Sequence, residues 1–389
     1  MENINLKPKS LIPNLKCFKK ITDQSELYKN YCYYDSEPFD VYKIESFGKK
    51  ENFYGGYLAT SNIKTKNIDI YKIYSKDNIQ MIGSLKVGYK EIQSIKYYYD
   101  SYHDIHYLTA LINEKTNILI WRIENEKKYN LITNYKENTD QGGYCSSYSP
   151  IRFSFYLLLF NEVKSYLILI YNVQRGCTTK LNIIEKYDFI NNEKLDELTQ
   201  CNVFYSGEYK GFPIKLNGKN YLGLLIDDKF ILYNIFSHYL EYSLEKETKK
   251  IRLICRMFKA IRSGVIIREN NEDKYLFYNE YYKDKSENKC CNKNFIHKLN
   301  LANNERLFQS SINIGELFSI TVWNKNYLLL FEKNSRNIHL FNTKTGRIVN
   351  KFSNFDNNVY MGKKLIINNE ELLFVINLKG VINLWINEQ

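Results

Sequence analysis

An all-β chain folded as a seven-bladed β-propeller is what three features of this 389-residue sequence predict together. A phrase of branched or aromatic residue, any residue, branched or aromatic residue, then Trp, Tyr or Phe recurs seven times, its final aromatics 50, 50, 62, 45, 63 and 44 residues apart. Periods of about 40–50 residues mark propeller blades rather than helical solenoids. A β-rich run precedes each phrase and a more amphipathic run follows most of them. No helical pattern of useful length competes; INNEKLDELTQ (190–200) comes nearest and reads as a short acidic insertion.

In chain order the phrases are Ile68-Asp69-Ile70-Tyr71, Ile118-Leu119-Ile120-Trp121, Ile168-Leu169-Ile170-Tyr171, Phe230-Ile231-Leu232-Tyr233, Tyr275-Leu276-Phe277-Tyr278, Ile338-His339-Leu340-Phe341 and Ile382-Asn383-Leu384-Trp385. Each reads as the third strand of a four-stranded antiparallel blade. The second strands are YLAT (57–60), HYLTALI (106–112), FYLLLF (155–160), YLGLLI (221–226), GVIIR (264–268), NYLLLF (326–331) and ELLFVI (371–376). Such inner strands are covered on both faces by neighbouring blades, so they read as continuous apolar runs. YNLITNY (129–135), YLEYSLE (239–245), FIHKLNL (295–301) and RIVNKF (347–352) alternate and suit the outer strand. IQSIKYY (92–98), LICRMF (253–258) and LFSITVW (317–323) supply first strands.

Closure sets the ends. Four residues follow Trp385, so the last blade lacks an outer strand; LKCFKKI (15–21) is expected to complete it, ahead of the first blade's opening strand PFDVYKI (38–44). Pairing the two chain ends would leave no bare edge. The chain 1–389 is then one domain, with 1–21 as closing segment and loop insertions at 190–215 and 280–294.

Composition agrees. With 44% hydrophobic, 15% aromatic and 25% charged residues the chain can bury a large core. Five Pro and 17 Gly leave no flexible interdomain seam. The net charge of +12 and pI near 9.0 point toward nucleic acid, anionic membrane or acidic protein. Lys, Asn, Ile and Tyr all have A/T-rich codons, however, so base composition alone can supply that charge. Eight cysteines at irregular spacing suit reduced thiols inside a cell. MENINLKPKS lacks an apolar leader, and FSFYLLLFNEVKSYLILIY (153–171) reads as two strands joined by a turn, interrupted by Asn161, Glu162 and Lys164.

Three stretches resemble WD40 repeats: HYLTALINEKTNILIWRI (106–123), NYLLLFEKNSRNIHLFNTKTGRIVNKF (326–352) with Thr345-Gly346 in the usual turn, and ELLFVINLKGVINLWIN (371–387). Only Trp121 and Trp385 stand at the family's Trp, and its Gly-His dipeptide and turn Asp are missing. The family's hydrogen-bonded tetrad therefore does not carry over, and blades are expected to rest on apolar packing and Tyr hydroxyl partners. Gly55-Gly56 and Gly142-Gly143 resemble the double glycine of kelch propellers but precede the second strand. The WD40 resemblance implies a non-catalytic scaffold within a multiprotein complex.

Little chemistry is encoded. His103 and His106, flanking Asp104, lack the further ligands a zinc site needs. The neighbouring Cys290 and Cys291 point opposite ways in an extended chain. No phosphate loop, nucleophile elbow or His-Glu-x-x-His occurs, so no enzyme, metal or cofactor is expected. Tyr-rich and Lys-rich loops give the candidate partner contacts: Tyr281, Tyr282, Lys283, Lys285, Lys289 and Lys293, with Tyr98 and Tyr99, since Tyr offers large contact area at low ordering cost. Val173-Gln174-Arg175-Gly176 resembles the Arg-Arg-Gly motif of phosphoinositide-binding propellers with one Arg missing, which adds Arg175. The expected partners are other proteins, with anionic lipid or RNA as the alternative; no DNA-recognition signature or transmembrane span is read, and the expected location is cytoplasmic or nuclear.

Overall fold

The structure, a computed structural model, describes residues 12–22, 37–44, 55–62, 64–88, 92–112, 117–136, 153–160, 162, 165–175, 179–191, 193–201, 209–216, 219–226, 229–233, 260–270, 272–283, 292–303, 305–333, 335–353 and 358–388. Every regular element among them is a β-strand. After β1 (Leu15–Thr22), one antiparallel sheet contains β2 (Phe39–Ile44), β3 (Gly55–Asn62), β4 (Asn67–Ile73) and β5 (Ile79–Lys86). The next contains β6 (Ile92–Asp100), β7 (Ile105–Ile112), β8 (Asn117–Asn125) and β9 (Lys128–Lys136), and the third β10 (Phe153–Phe160), β11 (Ser165–Arg175), β12 (Thr179–Asp188) and β13 (Glu193–Cys201). Three strands follow, β14 (Tyr209–Leu216), β15 (Lys219–Ile226) and β16 (Lys229–Tyr233). A fifth sheet contains β17 (Ala260–Glu269), β18 (Glu272–Lys283), β19 (Asn292–Asn300) and β20 (Glu305–Ile312). A sixth contains β21 (Leu317–Asn324), β22 (Tyr327–Glu332), β23 (Ile338–Asn342) and β24 (Arg347–Phe352). The last is ordered β1-β27-β26-β25, from β25 (Val359–Ile367), β26 (Glu370–Asn377) and β27 (Ile382–Asn387).

The architecture is a β-propeller arrangement of antiparallel four-stranded blades. Six sheets have four strands, where seven were expected; the sheet β14–β16 has three, and the residues after it, 234–259, lie outside the described ones. LICRMF and YLEYSLE fall in that stretch. First strands lie innermost: β2 packs on β6 and β25, β21 on β17 and β25, and β10 on β14. The parallel bridge between Glu37 and Ser94 shows β2 and β6 running the same way. Apolar clusters fill the spaces between sheets, as where Tyr107, Ile118 and Ile120 of the second meet Tyr156, Leu158 and Leu169 of the third.

The last sheet packs against the first through Leu365, Ile367, Leu372 and Phe374 on one side and Phe39, Leu58 and Ile73 on the other. Gly56 permits the close approach: a Cβ there would lie 1.8 Å from Ile367 Cδ1. As expected from LKCFKKI, β1 forms the outer strand of the last sheet, pairing antiparallel with β27 from Leu15↔Asn387 to Thr22↔Ile382.

Five of the seven phrases occupy third strands. The other two do not: Tyr171 lies in β11 and Tyr278 in β18, both second strands, and FYLLLF and GVIIR sit in the first strands β10 and β17. Second and third strands are buried alike on both faces, so their composition does not tell them apart. Most of INNEKLDELTQ is β13, the outer strand of the third sheet, and Tyr209–Lys215 at the end of the same supposed insertion belongs to β14. An outer strand is solvated on one side, which is why its charged composition resembles an insertion. The 280–294 stretch joins second to third strand, β18 to β19, rather than third to fourth.

Each four-stranded sheet also carries an extra residue at one shared place on its outer strand, Ile82, Ile132, Leu195, Leu307, Val349 and Phe18, and β1 has a further one, Ile21, nearer its end. All are apolar. The bulge always opposes the step into the same third-strand position, held by Tyr71, Trp121, Tyr187, Leu299, Phe341 and Trp385. It thereby identifies Tyr187 and Leu299 as the counterparts that the phrase misses. A bulge strengthens local twist and bends the edge away from strand-to-strand pairing with other molecules.

Polar bracing is stronger than Tyr hydroxyls alone. In the sixth sheet Glu332, ending β22, accepts from His339 Nε2 at 3.0 Å on β23 and from Gly315 N at 2.5 Å in the segment before β21. One carboxylate thus ties three parts of the blade. The hydrogen bond from His339, outweighing burial and helped by the Gly315 amide, holds Glu332 down to about 2. A depressed carboxylate stabilises the fold above its unfolded value and loses that contribution as pH falls toward the folded one. Stability is therefore expected to drop by about 2–3 kcal/mol between about pH 5 and pH 2 through this group. Urea titrations across that range should show Glu332→Gln starting lower at neutral pH and losing less on acidification; parallel curves would remove Glu332 from the acid sensitivity.

Candidate binding surface

Among the described residues, charge, hydroxyls and aromatic rings converge along the inner strands. Five of them carry a bulge close to their start, with Gln93, Ser154, Arg262, Phe318 and Tyr360 as extra residues. A bulge re-aims the side chain it inserts. Phe318 and Tyr360, on adjacent first strands, meet edge to face at 4.9 Å, and Lys333 Nζ stands 5.6 Å above the Phe318 ring while pairing with Glu316 at 3.2 Å.

Further along the inner wall, Lys363 of β25 reaches across to the first sheet, 3.3 Å from Glu37 Oε2 and 3.6 Å from Asp40 Oδ1. Asp40 in turn accepts from Tyr97 N of β6 at 2.8 Å. Three consecutive sheets are joined by this chain of charge. Burial lowers the proton affinity of Lys363, but Glu37 and Asp40 together outweigh it and hold the ammonium above the usual lysine range. Burial raises Asp40, partly offset by Lys363 and the Tyr97 amide. The side chains of Lys363 and Glu37 keep 26% and 32% exposure, so the group is reachable. Beside it the Tyr98 hydroxyl is raised well above its usual range by burial and then by Tyr156, Glu37 and Asp40. Tyr156 shares a 2.9 Å hydrogen bond with Thr109 Oγ1.

Between first and second sheets runs a stack of five rings. Tyr57 and Tyr42 lie 5.5 Å apart, Tyr42 and Tyr97 4.4 Å, Tyr97 and His106 6.0 Å, and His106 and Tyr99 4.8 Å, all nearly parallel. The Tyr97 hydroxyl and His106 Nδ1 are 2.8 Å apart. His103 turns elsewhere, with Nδ1 2.8 Å from Asp100 Oδ2, an oxygen that also accepts from Ser165 Oγ at 3.0 Å. The two histidines thus serve different partners.

The sequence-derived contacts separate into two groups. Arg175 ends β11, Tyr281, Tyr282 and Lys283 end β18, and Lys293 opens β19, so all five belong to connections between second and third strands, at one end of the blades. Lys285 and Lys289 of the same connection lie outside the described residues. Tyr98 and Tyr99 belong to the opposite half of the wall, near the first-to-second-strand turn. Tyr98 is spent on packing, and Tyr99 donates to Asp104 at 3.1 Å beside that turn. Sequence reasoning missed Glu37, Asp40 and Lys363. Their signal was present: PFDVYKI and MGKKLII place charge inside otherwise apolar strand patterns, and such a charge needs a partner once buried.

No helix among the described residues is long and apolar enough to cross a membrane. Comparison with protein-family models and with curated proteins gives no match for this chain.

Proposed function

We propose that this chain is a non-catalytic, WD40-like propeller that presents one rim to protein partners inside the cell. Propellers are typically interaction scaffolds, and loops on a rigid ring carry their function. The observation that supports the reading best is that Arg175 on the third sheet and Tyr281, Tyr282, Lys283 and Lys293 on the fifth are placed at the same end of the blades, the end at which the bulged inner strands also begin. Tyr and Arg are the residues that dominate interface energetics. In this reading β1 closes the ring, which the packing of the last sheet on the first favours.

Affinity purification of the full chain at low and high salt, with identification of what is retained, tests the assignment. Retention of a protein complex that Tyr281→Ala/Tyr282→Ala weakens, and that changes little between ~50 and ~200 mM salt, is the expected result. Recovery of only RNA or anionic vesicles, released steeply over that range, would replace the scaffold with an electrostatic binder.

A further inference from the structure

The outer strands carry a charge pattern that the shared bulge brings into line. Two positions to either side of the bulge residue, the first and second sheets hold neutral polar residues, the third Glu193 and Glu197, and the fifth Glu305 and Gln309. The sixth holds Arg347 and Lys351 around Val349, and the last holds Lys16 and Lys20 around Phe18. All six of these residues are exposed. The two bulges oppose the step into the same third-strand position, at Phe341 and Trp385, so the two triplets stand at one height on neighbouring sheets. Leu15 and Phe352, from the same two outer strands, are buried in one cluster between those sheets. Lys19 adds another cation to the last edge, its Nζ 5.8 Å from the centre of the Phe18 ring. Among the described residues Arg347 and Lys351 have no ion-pair partner. The carboxylates described on or beside the two sheets, Glu316, Glu332, Glu370, Glu371 and Glu388, each already face a lysine or histidine. Lys16 is the lysine facing Glu388, and with both side chains largely in water that pair is weak.

We propose that this two-sheet edge docks on an anionic lipid bilayer. Phe18 and Val349 enter the boundary between headgroups and acyl chains, while Lys16, Lys20, Arg347 and Lys351 lay their stems along apolar surface and reach the lipid phosphates with their charge. An edge that presents one apolar tip between two cations, twice at one height, suits a planar and fluid surface, which needs no complementary relief. A nucleic acid would need a ring at each step on which to stack its bases, and Val349 offers none. A protein partner would be anchored by large side chains filling pockets, whereas these apolar tips stand on outward edges. The edge lies away from the rim assigned to protein partners, and the proposal does not depend on that assignment.

The test is co-sedimentation of the full chain with phosphatidylcholine vesicles, with and without phosphatidylserine. Binding is expected only where phosphatidylserine is present. Arg347→Gln/Lys351→Gln should weaken it about 25-fold, at roughly fivefold for each cation near an anionic surface. Lys127→Gln/Lys128→Gln, which removes the same charge from the exposed turn between β8 and β9, should leave it nearly unchanged. Val349→Ser, an exposed substitution that spares the closing strand, should weaken it several-fold. Tyr281→Ala/Tyr282→Ala should bind vesicles as the parent does, so failure here and failure of the scaffold reading are told apart. Equal losses in the two Gln variants would reduce the effect to net charge and overturn the proposal, as would indifference to Val349→Ser. Sedimentation without lipid that Arg347→Gln/Lys351→Gln removes would give the edge to a second copy of the chain, through acidic edges such as that of the third sheet, and overturn it equally.

Discussion

Removal of residues 1–22 is expected to abolish cooperative unfolding. The strand lost is β1, which pairs with β27 along its length and buries Leu15 against Trp323 and Trp385. Asn14 adds a reciprocal clasp, its N–H donating to Asn387 Oδ1 and its carbonyl accepting from Glu388 N, both at 2.9 Å. Lys19 Nζ reaches Asp77 O of the first sheet at 3.0 Å, so the segment touches both sides of the seam. A buried leucine contributes about 2 kcal/mol and each ladder hydrogen bond about 1 kcal/mol net. The sum rivals the roughly 5–15 kcal/mol that stabilises a whole domain. Calorimetry should show the sharp transition of the intact chain replaced by a broad, low-temperature one. A deletion variant melting sharply at the parental temperature would refute the role given to β1.

Replacement of Lys363 by Met is expected to cost about 1–3 kcal/mol, below the range for stranding fully buried charges because Lys363 and Glu37 keep part of their exposure. Met retains much of the stem's volume, so the loss reports the ammonium. What remains is Glu37 and Asp40 side by side in a wall that already raises Asp40 by burial. Removing the carboxylates as well, by Glu37→Gln and Asp40→Asn, should recover most of the loss, because neutral groups of similar shape are cheap where a lone charge is not. Denaturant midpoints of the single and triple variants decide it. A single variant as stable as the parent would show that the three charges are solvated independently and join nothing.

Much of the architecture was legible along the chain. The Ile-x-Leu-Trp type of phrase marks strands buried on both faces, and burial of that kind dictates continuous branched and aromatic residues wherever it occurs. The same physics limits what the phrase can say: Tyr171 and Tyr278 satisfy it from second strands, whereas the third strands β12 and β19 place Tyr187 and Leu299 at the equivalent position without matching it. The outer strand β13 looked like an acidic insertion because half of an edge strand is surface. Composition singles out the candidate contacts around Tyr281; it does not single out the Lys363 group, since Lys363 stands 326 residues from Glu37 and meets it only across the seam between first and last sheets.

Local sequence was sufficient for the strand content, the approximate repeat and the segment that supplies the last sheet's outer strand, because each depends on side-chain periodicity within a dozen residues. Which strand neighbours which, where the bulges fall, and which charges face one another emerged only on folding. Those depend on register and on packing between sheets, and a shift of one residue, invisible in composition, turns every side chain to the opposite face.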